Sequence, residues 1–291
     1  MEFELAVPPD FLFYQTLQDT TRQPFGLSEC LREKTYFSII YGAPVAIIHN
    51  SRRSVLEVTT TDSTPAGPLR ELLTRRFGLN QDLDSFYRHF DADPVLSPVI
   101  RRLTGLRVFQ KDNRFEALVT AIIDQQVNLA FAATLKTRLI REFGQCQIVD
   151  GMELFEFPRP GALAALEELA LRPLQFTGNK SRFIILLARA ITDGSLNPDN
   201  WETFTDYDLL TALQSVYGVG RWTAEYVALI SFNRLNMFPA ADIGLLNVLQ
   251  KIYGLEQRPK EQEARQMSQL WEPYRGILTF YLWYAYEQNI V

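Results

Sequence analysis

The 291-residue chain is poor in the residues that most metal and nucleophilic sites use. It has two cysteines, Cys30 and Cys146, and two histidines, His49 and His89. Two cysteines are too few for a disulfide-rich scaffold, a four-thiolate zinc site or an ordinary iron–sulfur cluster. Because no histidine follows residue 89, Ser-His-Asp and Cys-His mechanisms are excluded from most of the chain.

The sequence also lacks long apolar runs and a basic leader. No run approaches the roughly 18 residues of a membrane-spanning helix, and Met1-Glu2-Phe3-Glu4 differs from the start of a secretory signal. We therefore expect an intracellular protein of the cytoplasm or nucleoid, without a membrane partner and monomeric by default. Hydrophobic residues make up 47% of the chain, enough for real cores, and the length predicts about two domains.

The excess of acidic residues is the next constraint. The net charge of −5 argues on its own against a nucleic-acid partner, because phosphate binding favours a basic surface. Residues 100–144, however, contain eight lysines and arginines against four acidic residues, a local balance of +4. That segment fits either an ordinary solvated face or a local surface for phosphates.

Two regions differ in their hydrophobic periodicity. Residues 1–80 are mixed, with predicted strands at 3–7, 36–41, 45–48 and 55–61, a turn at 42–44, and helices at 11–17 and 65–77. From residue 82 onward the pattern is helical almost throughout, and no strand-like alternation interrupts it. We therefore predict an α+β protein, with a small N-terminal antiparallel α/β domain over residues 1–80 and an all-α region over residues 81–291.

The all-α region divides into helices at capping and stop residues. Asn113 is a predicted N-cap, and Gly144 and Gly254 are predicted stops. The predicted helices are 113–123, 128–143, 163–171, 180–191, 206–216, 221–233, 242–252, 261–271 and 273–288. The segment Gly178-Asn179-Lys180-Ser181 lacks the spacing of a phosphate loop and is predicted to be a helix start with a surface lysine.

The most informative segment is Gly218-Val219-Gly220, which lies between two predicted helices. Glycine tolerates the positive φ of a tight turn, and without a Cβ it lets a phosphate approach the backbone. The helix that follows would point its free N–H groups and positive dipole end at an anion. The pattern fits a phosphate-binding hairpin, and it also fits a plain corner between two helices.

Two further features lie near this turn in sequence. Asp242, which follows Phe238-Pro239-Ala240-Ala241, is either a simple N-cap or a carboxylate that faces the hairpin across a groove. Aromatic side chains cluster nearby and form either core or a pocket that stacks a base. They are Trp222, Tyr226, Trp271, Tyr274, Phe280, Tyr281, Trp283 and Tyr284.

Taken together, these residues resemble the helix–hairpin–helix DNA glycosylases and, more narrowly, the DNA-3-methyladenine glycosylase II family. The resemblance covers residues 80–291 and rests on four segments in order. They are Phe115-Glu116-Ala117-Leu118 through Gln125-Gln126-Val127, Val219-Gly220-Arg221-Trp222-Thr223-Ala224, Phe238-Pro239-Ala240-Ala241-Asp242, and Trp271-Glu272-Pro273-Tyr274-Arg275 to Tyr281-Leu282-Trp283. It implies a core of two helical subdomains with the active-site cleft between them.

The resemblance also implies a role for each matching residue. Asp242 corresponds to the catalytic carboxylate, and Trp222, Tyr226 and Trp283 fall in the aromatic base pocket. Gln126 corresponds to the wedge side chain that fills the gap left by a flipped nucleotide. The implied DNA contacts at the hairpin are Gly218, Val219, Gly220, Arg221 and Thr223. A structural Na⁺ or K⁺ is implied at the backbone of Gln214, Val216 and Val219, with no other cofactor.

The implied activity is that of a monofunctional DNA glycosylase in base excision repair. Such an enzyme flips an alkylated purine, of the 3-methyladenine or 7-methylguanine type, out of duplex DNA and leaves an abasic site. Trp222 stands where bifunctional relatives carry a Schiff-base lysine, which implies base release without strand cleavage. Asp124 departs from the family pattern because it places an acid near DNA. The alternatives are a non-catalytic helix–hairpin–helix DNA-binding protein and a bifunctional glycosylase/lyase for oxidised bases.

Overall fold

The computed structural model describes residues 1–20, 27–61 and 64–291. A five-stranded antiparallel sheet precedes a region of helices, which confirms the predicted α+β class. The sheet strands are β1 (Glu2–Ala6), β2 (Glu29–Arg32), β3 (Thr35–Ile40), β4 (Ala43–Asn50) and β5 (Val55–Thr60). Their order across the sheet is β1-β5-β4-β3-β2.

The central hairpin of the sheet turns one residue earlier than predicted. Tyr41 and Gly42 both have positive φ, 55° and 75°, as a two-residue type I′ turn requires. β4 therefore begins at Ala43, and Pro44 lies opposite Ile39 within the ladder rather than in the turn. β2, which pairs with β3, was not among the predicted strands.

Two helices cover one face of the sheet. α1 (Phe13–Thr20) and α2 (Ala66–Arg76) lie close to their predicted positions. The core that they form with the sheet contains fully buried aromatic and branched side chains, among them Phe13, Tyr36, Ile47, Leu56, Leu69, Leu73 and Phe77. Burying each such side chain contributes about 1.5–3 kcal/mol to folding.

The remaining helices form the second and larger core. They are α3 (Leu83–Phe90), α4 (Leu96–Arg102), α5 (Arg114–Asp124), α6 (Leu129–Phe143), α7 (Pro160–Ala164), α8 (Gly178–Thr192), α9 (Asp206–Ser215), α10 (Arg221–Ser231), α11 (Ile243–Ile252), α12 (Glu261–Met267) and α13 (Arg275–Glu287). Asn113 caps α5 as predicted, since its side chain accepts from the Glu116 N–H at 3.1 Å. α13 is buried over residues 276–285 and packs against α11 and α4. Among the described residues, no helix is long and apolar enough to cross a membrane.

The prediction that no strand interrupts the helical region is wrong. β6 (Cys146–Val149) and β7 (Met152–Phe155) form an antiparallel hairpin between α6 and α7. Its turn residues, Asp150 and Gly151, have φ of 49° and 73°, which is the type I′ geometry that Asp-Gly favours. The hairpin packs against β2 and β3, so it extends the contact between the sheet and the helices.

The predicted helix 163–171 is also wrong in its bounds. α7 begins at Pro160, whose fixed φ suits the first helical position, and it ends at Ala164. Arg189 of α8 donates to the carbonyls of Ala164 and Leu166 at 3.1 and 2.6 Å, which satisfies the helix end there. Likewise, α12 ends at Met267, and a 3-10 turn follows over Ser268–Trp271.

The division into domains at residue 80 stays a prediction. Phe109, from the chain beyond α4, packs in the core of the sheet, while Leu12 packs against the helical core. The backbone joins the two at Gly105, whose carbonyl accepts from the Leu12 N–H at 3.2 Å. The N–H of Gly105 in turn donates to the Tyr87 hydroxyl at 2.7 Å.

We predict that Gly105→Ala destabilises the protein. Gly105 has φ of 91°, and a Cβ there would lie 1.8 Å from the Asp10 carbonyl oxygen. Strain and overpacking together should lower the free energy of unfolding by about 2–5 kcal/mol. Gly67→Ala in α2 is the control, because its Cβ meets nothing within 4 Å, and it should raise stability by about 0.5–1 kcal/mol. Thermal unfolding of both variants checks this, and equal midpoints would contradict it.

Candidate active site

A cleft of about 1260 Å³ collects most of the predicted site residues. One wall comes from the turn before α10, the start of α11 and a side chain of α13. The other comes from α5, α6, the loop between them and the start of β2. Asp242, Trp222, Tyr226, Trp283, Gln126, Gly218, Gly220, Arg221 and Thr223 all line it.

Asp242 is held at the start of α11 by three N–H groups. Its Oδ1 accepts from the Leu245 N–H at 2.8 Å, so it is the N-cap. The same oxygen accepts from the Trp283 indole at 2.9 Å, and Oδ2 accepts from the Trp222 indole at 3.3 Å. The residue is only 9% exposed. The two interpretations of Asp242 therefore combine, because the capping carboxylate also faces the cleft.

The aromatic side chains divide between cleft and core. Trp222 and Tyr226, one turn apart on α10, have parallel rings with centroids 5.6 Å apart. Trp283 meets Tyr226 edge to face at 6.0 Å. Trp222 and Trp283 bind Asp242, and Tyr226 packs against both. The other aromatic residues of the cluster do not line the cleft and belong to the core or pack against it; they are Trp271, Tyr274, Phe280, Tyr281 and Tyr284. The cluster therefore contributes to both core and cleft, and the stacking of a base on its cleft residues stays a prediction.

The hairpin between α9 and α10 needs glycine at its first position. Gly218 has φ of 87°, and a Cβ there would lie 2.3 Å from the Phe183 ring. Gly220 is different, since its φ is −87° and a Cβ would meet nothing within 4 Å. Gly220 is the N-cap of α10 without a side-chain acceptor, and the helical ladder begins with the Ala224 N–H. The backbone N–H groups of residues 221–223 therefore precede that ladder at a helix N-terminus, where an anion is stabilised.

Side chains at the hairpin differ in what they can reach. Arg221 is 60% exposed, and its Nε donates to the buried Glu225 carboxylate at 3.1 Å. Arg265 contacts the same carboxylate at 2.9 Å and the Glu261 carboxylate at 2.8 Å, so the two arginines share two carboxylates while most of the Arg221 side chain stays exposed. Thr223 is 2% exposed and Val219 is buried. A contact between DNA and either of these two residues would therefore involve the backbone rather than the side chain.

The loop between α5 and α6 carries the predicted wedge. Gln126 is exposed and has φ of 51°, an uncommon conformation for a residue with a side chain. Its neighbour Gln125 donates from Nε2 to the Gly218 carbonyl and to the Thr223 hydroxyl, both at 3.0 Å. This loop is therefore bound directly to the hairpin, a contact that sequence reasoning did not predict.

Lys180 is not the surface lysine that the sequence suggested. It is 7% exposed, and its Nζ donates to the carbonyls of Ile123 and Gln125, both at 2.7 Å. Burial lowers the pKa of its ammonium. A signal was present in the sequence, because a cation in the first turn of a helix opposes the helix dipole and needs another partner.

Asp124, the acid expected near DNA, is paired inside the cleft. Its carboxylate lies 2.7 Å from the Lys136 ammonium, and burial lowers the pKa of that lysine while Asp124 opposes the effect. Lys111 lies 3.6 Å from Glu116 on the same wall. Arg107 and Arg114 of the basic segment are buried and bound to protein groups. These four cations are thus bound within the fold, whereas Arg101, Arg102 and Arg141 of the same segment are exposed.

The N-terminal sheet also contributes to the cleft, which the sequence did not indicate. Leu27, Ser28 and Glu29 line it at the start of β2. Burial raises the pKa of Glu29, and the nearby Arg76 guanidinium counteracts part of that rise. The sheet therefore supplies one polar edge of the cleft.

The residues implied for a monovalent cation lie at the C-terminal end of α9 and in the turn that follows it. Gln214 is in the last turn of α9, and the Val216 carbonyl accepts one bond, from the Val219 N–H at 3.0 Å. A carbonyl oxygen has a second lone pair, and the last carbonyls of a helix lack intrahelical donors. The backbone is therefore compatible with Na⁺ or K⁺, and the cation stays a prediction.

A comparison with known protein families matches the part of the chain that contains most of these residues. Residues 119–273 match the model of the HhH-GPD superfamily base excision DNA repair protein family. The matched range includes the loop with Gln126, the hairpin and Asp242. It includes neither the sheet nor Trp283. The chain belongs to the HhH-GPD superfamily of base excision DNA repair proteins.

Relatives and solved structures agree with this assignment. The DNA-3-methyladenine glycosylase of Bacillus subtilis (strain 168) is 33% identical over 207 residues, 71% of this chain and 68% of the relative. The 3-methyladenine DNA-glycosylase of Archaeoglobus fulgidus has a TM-score of 0.87 at 20% identity, covering 99% and 100% of the two chains. A DNA complex of the Clostridium acetobutylicum 8-oxoguanine glycosylase/lyase has a TM-score of 0.81 at 17% identity, covering 100% and 99%. At these identities the two structures show a shared fold.

We predict that Gly220→Ala in this HhH-GPD protein weakens DNA binding by more than its small effect on stability, which comes from the loss of glycine at an N-cap, would produce. The new Cβ has space in the free protein but would stand where a phosphate approaches the N-terminus of α10. The Kd for duplex DNA should rise about tenfold, which corresponds to about 1.4 kcal/mol. Fluorescence anisotropy at fixed salt measures this. Gly161→Ala in α7, also in open space, is the control, and equal affinities for both variants would contradict a phosphate at the hairpin.

Proposed function

We propose that this chain is a monofunctional DNA glycosylase. It hydrolyses the N-glycosidic bond of alkylated purines, of the 3-methyladenine or 7-methylguanine type, in duplex DNA and leaves an abasic site. The single observation that carries the proposal is the Asp242 carboxylate, held by two indole N–H groups in a cleft that aromatic rings line. The name of the 33% identical Bacillus subtilis relative, DNA-3-methyladenine glycosylase, supports this choice of substrate.

The chemistry suits a site without histidine. Alkylation at N3 or N7 gives the purine a formal positive charge, so the base leaves without prior protonation by a general acid. One carboxylate then suffices. Asp242 either stabilises the positive charge that develops on the sugar or orients the attacking water. Both roles require a fixed carboxylate, and the three N–H donors from α10, α11 and α13 provide one.

The expected contribution of Asp242 is large. A pair of unit charges about 4 Å apart at an effective dielectric near 20 interacts by roughly 4 kcal/mol. Confined to the transition state, that energy corresponds to about three decades in rate. Cation–π attraction from the rings of Trp222, Tyr226 and Trp283 adds roughly 0.5–2 kcal/mol for a charged base.

These magnitudes favour a broad substrate range. Aromatic faces attract a cationic base only modestly, so the pocket by itself discriminates weakly. Most of the selectivity would then arise from the weak glycosidic bond and the easier extrusion of a damaged base. When the base is extruded, the Gln126 side chain would fill the gap in the duplex and the hairpin would bind a flanking phosphate. One copy of this chain would act on double-stranded DNA as a monomer.

Two alternative functions are less well supported. A glycosylase/lyase needs a nucleophilic amine beside the sugar, but Trp222 occupies the hairpin position where bifunctional relatives carry lysine. The two lysines that line the cleft, Lys111 and Lys136, are paired with Glu116 and Asp124. A non-catalytic DNA-binding protein would have no use for a nearly buried carboxylate that two indoles orient toward the cleft.

The first test replaces the carboxylate. Asp242→Asn should lower single-turnover release of 7-methylguanine from methylated duplex DNA by about a thousandfold, because the charge is lost. The Kd for the same DNA should change little. Chromatography of the freed bases and anisotropy measure the two quantities.

A matched control separates capping from chemistry. Asp82 also caps a helix, α3, accepting from the Ser85 N–H at 3.1 Å, and it is exposed and outside the cleft. Asp82→Asn should therefore leave base release unchanged, since Asn caps as well as Asp does. Near-normal release by Asp242→Asn would remove the enzymatic proposal.

The second test concerns strand cleavage. Incubating the wild-type protein with methylated duplex DNA and borohydride should release base but trap no covalent protein–DNA adduct, because the mechanism forms no Schiff base. Electrophoresis of the denatured mixture measures the adduct. Trapped protein that disappears in Lys136→Met would instead assign lyase chemistry to the cleft.

A further inference from the structure

Lys180 makes contacts that tie a buried charge to the DNA-facing loop. It lies in the first turn of α8, and its ammonium donates to the carbonyls of Ile123 and Gln125, each at 2.7 Å. Those carbonyls belong to the last turn of α5 and to the residue after it. A cation at the C-terminus of a helix is favourable and satisfies carbonyls that lack intrahelical donors.

The same loop is held a second time, from its other side. The Gln125 side chain donates to the Gly218 carbonyl and the Thr223 hydroxyl of the hairpin, both at 3.0 Å. Gln125 is thus fixed through its carbonyl by Lys180 and through its side chain by the hairpin. Gln126 follows at once, exposed and in a strained positive-φ conformation. Such a conformation persists only where its surroundings hold it.

Among the described residues, the two lysines that line the cleft are engaged elsewhere. Lys136 lies 2.7 Å from the Asp124 carboxylate, and Lys111 lies 3.6 Å from the Glu116 carboxylate. Removing the Lys180 ammonium would leave the buried Ile123 carbonyl without that donor, and the loop would move to satisfy it.

We propose that Lys180 is a positioning residue for base extrusion. Its ammonium holds the α5–α6 loop so that the Gln126 side chain meets the duplex where a nucleotide leaves the stack. Lys180 itself lies beneath the loop and contacts no DNA. The inference rests on the proposed glycosylase function and on the wedge role of Gln126, and it adds a residue that acts through both.

The proposal predicts a defect that depends on the form of the DNA. A wedge side chain fills the gap in a base-paired stack, and a single strand presents no such gap. A displacement of about 1 Å in a positioned group can cost about a hundredfold in rate. Lys180→Met, which keeps the length of the side chain and removes its charge, should therefore lower single-turnover release of 7-methylguanine from duplex DNA ten- to a hundredfold. Release from the same methylated single strand should stay within about twofold.

Arg189→Met is the matched control on the same helix. Arg189 also donates to two backbone carbonyls, those of Ala164 and Leu166, but at the other end of α8. Its loss should lower thermal stability and leave the ratio of duplex to single-strand rates unchanged. A purely structural Lys180 would behave like Arg189, with no change in that ratio, and this would overturn the proposal.

A double-mutant cycle with Gln126 makes the test sharper. If Lys180 acts through the wedge, Gln126→Ala should remove the advantage that Lys180 provides, and the double variant should be about as slow on duplex DNA as the slower single variant. Multiplied effects would contradict the proposal. The cycle uses duplex DNA alone, so it decides the matter even if single strands are not substrates.

Two further outcomes are distinguishable. If Lys180→Met does not fold, Lys180→Gln, which is uncharged and one atom shorter, enters the same comparison and should show a smaller drop in the ratio of duplex to single-strand rates. An unchanged ratio together with multiplied effects in the cycle would overturn the inference. If the wild-type protein releases no base from either form of DNA, the proposed function itself fails. If the wild-type protein releases base and Lys180→Met releases it equally fast from duplex DNA, only the role of Lys180 is refuted.

Discussion

Three N–H groups from three helices converge on one carboxylate, and the arrangement of the cleft depends on them. The Leu245 N–H fixes Asp242 at the start of α11, while the indoles of Trp222 on α10 and Trp283 on α13 fix its plane. α10 begins at the glycine hairpin, so the element that presents N–H groups to an anion also carries a ring that orients the carboxylate. The proposed DNA contact and the proposed chemistry are therefore less than one helical turn apart, so a phosphate bound at the hairpin would set the position of the neighbouring sugar.

α8 supports both the α5–α6 loop and the hairpin, the two segments proposed to face DNA. At its first turn, Lys180 holds the α5–α6 loop, and one turn later Phe183 packs on the hairpin. The Phe183 ring leaves no space for a Cβ at Gly218 and meets Tyr217 edge to face at 5.0 Å. Gln125 then joins the loop to the hairpin above the helix. The Gln126 loop and the hairpin thus both pack on α8, and the proposed function would use this helix to keep a fixed spacing between an extruded base and a bound phosphate.

Short sequence signals predicted those features of the fold that depend on neighbouring residues, such as helix starts and turns. Asn113, Asn128 and Asp242 each precede an apolar periodic run, and each caps a helix. The hairpin of β6 and β7 had an Asp-Gly signal that the surrounding helical periodicity obscured. Lys180 and Gln125 were different, because their partners lie 55 or more residues away in sequence, and only the fold brings them together. The resemblance pointed to the matching motif residues, Gln125 among them, but it did not indicate the contacts that Gln125 and Lys180 make.

The acidic net charge is compatible with DNA as partner once the source of positive potential is considered. Arg107, Arg114 and Lys136 are bound to carbonyls and carboxylates inside the fold, so their charges are not available to a partner. The anion site that remains at the hairpin is built from backbone N–H groups and the N-terminus of α10, with Arg221 beside it. Backbone dipoles contribute nothing to the formal charge of −5, so a count of charged residues underestimates this surface. A site of this kind would bind few phosphates, so the proposed function requires the aromatic side chains of the cleft, rather than a broad basic face, to supply much of the affinity for a damaged nucleotide.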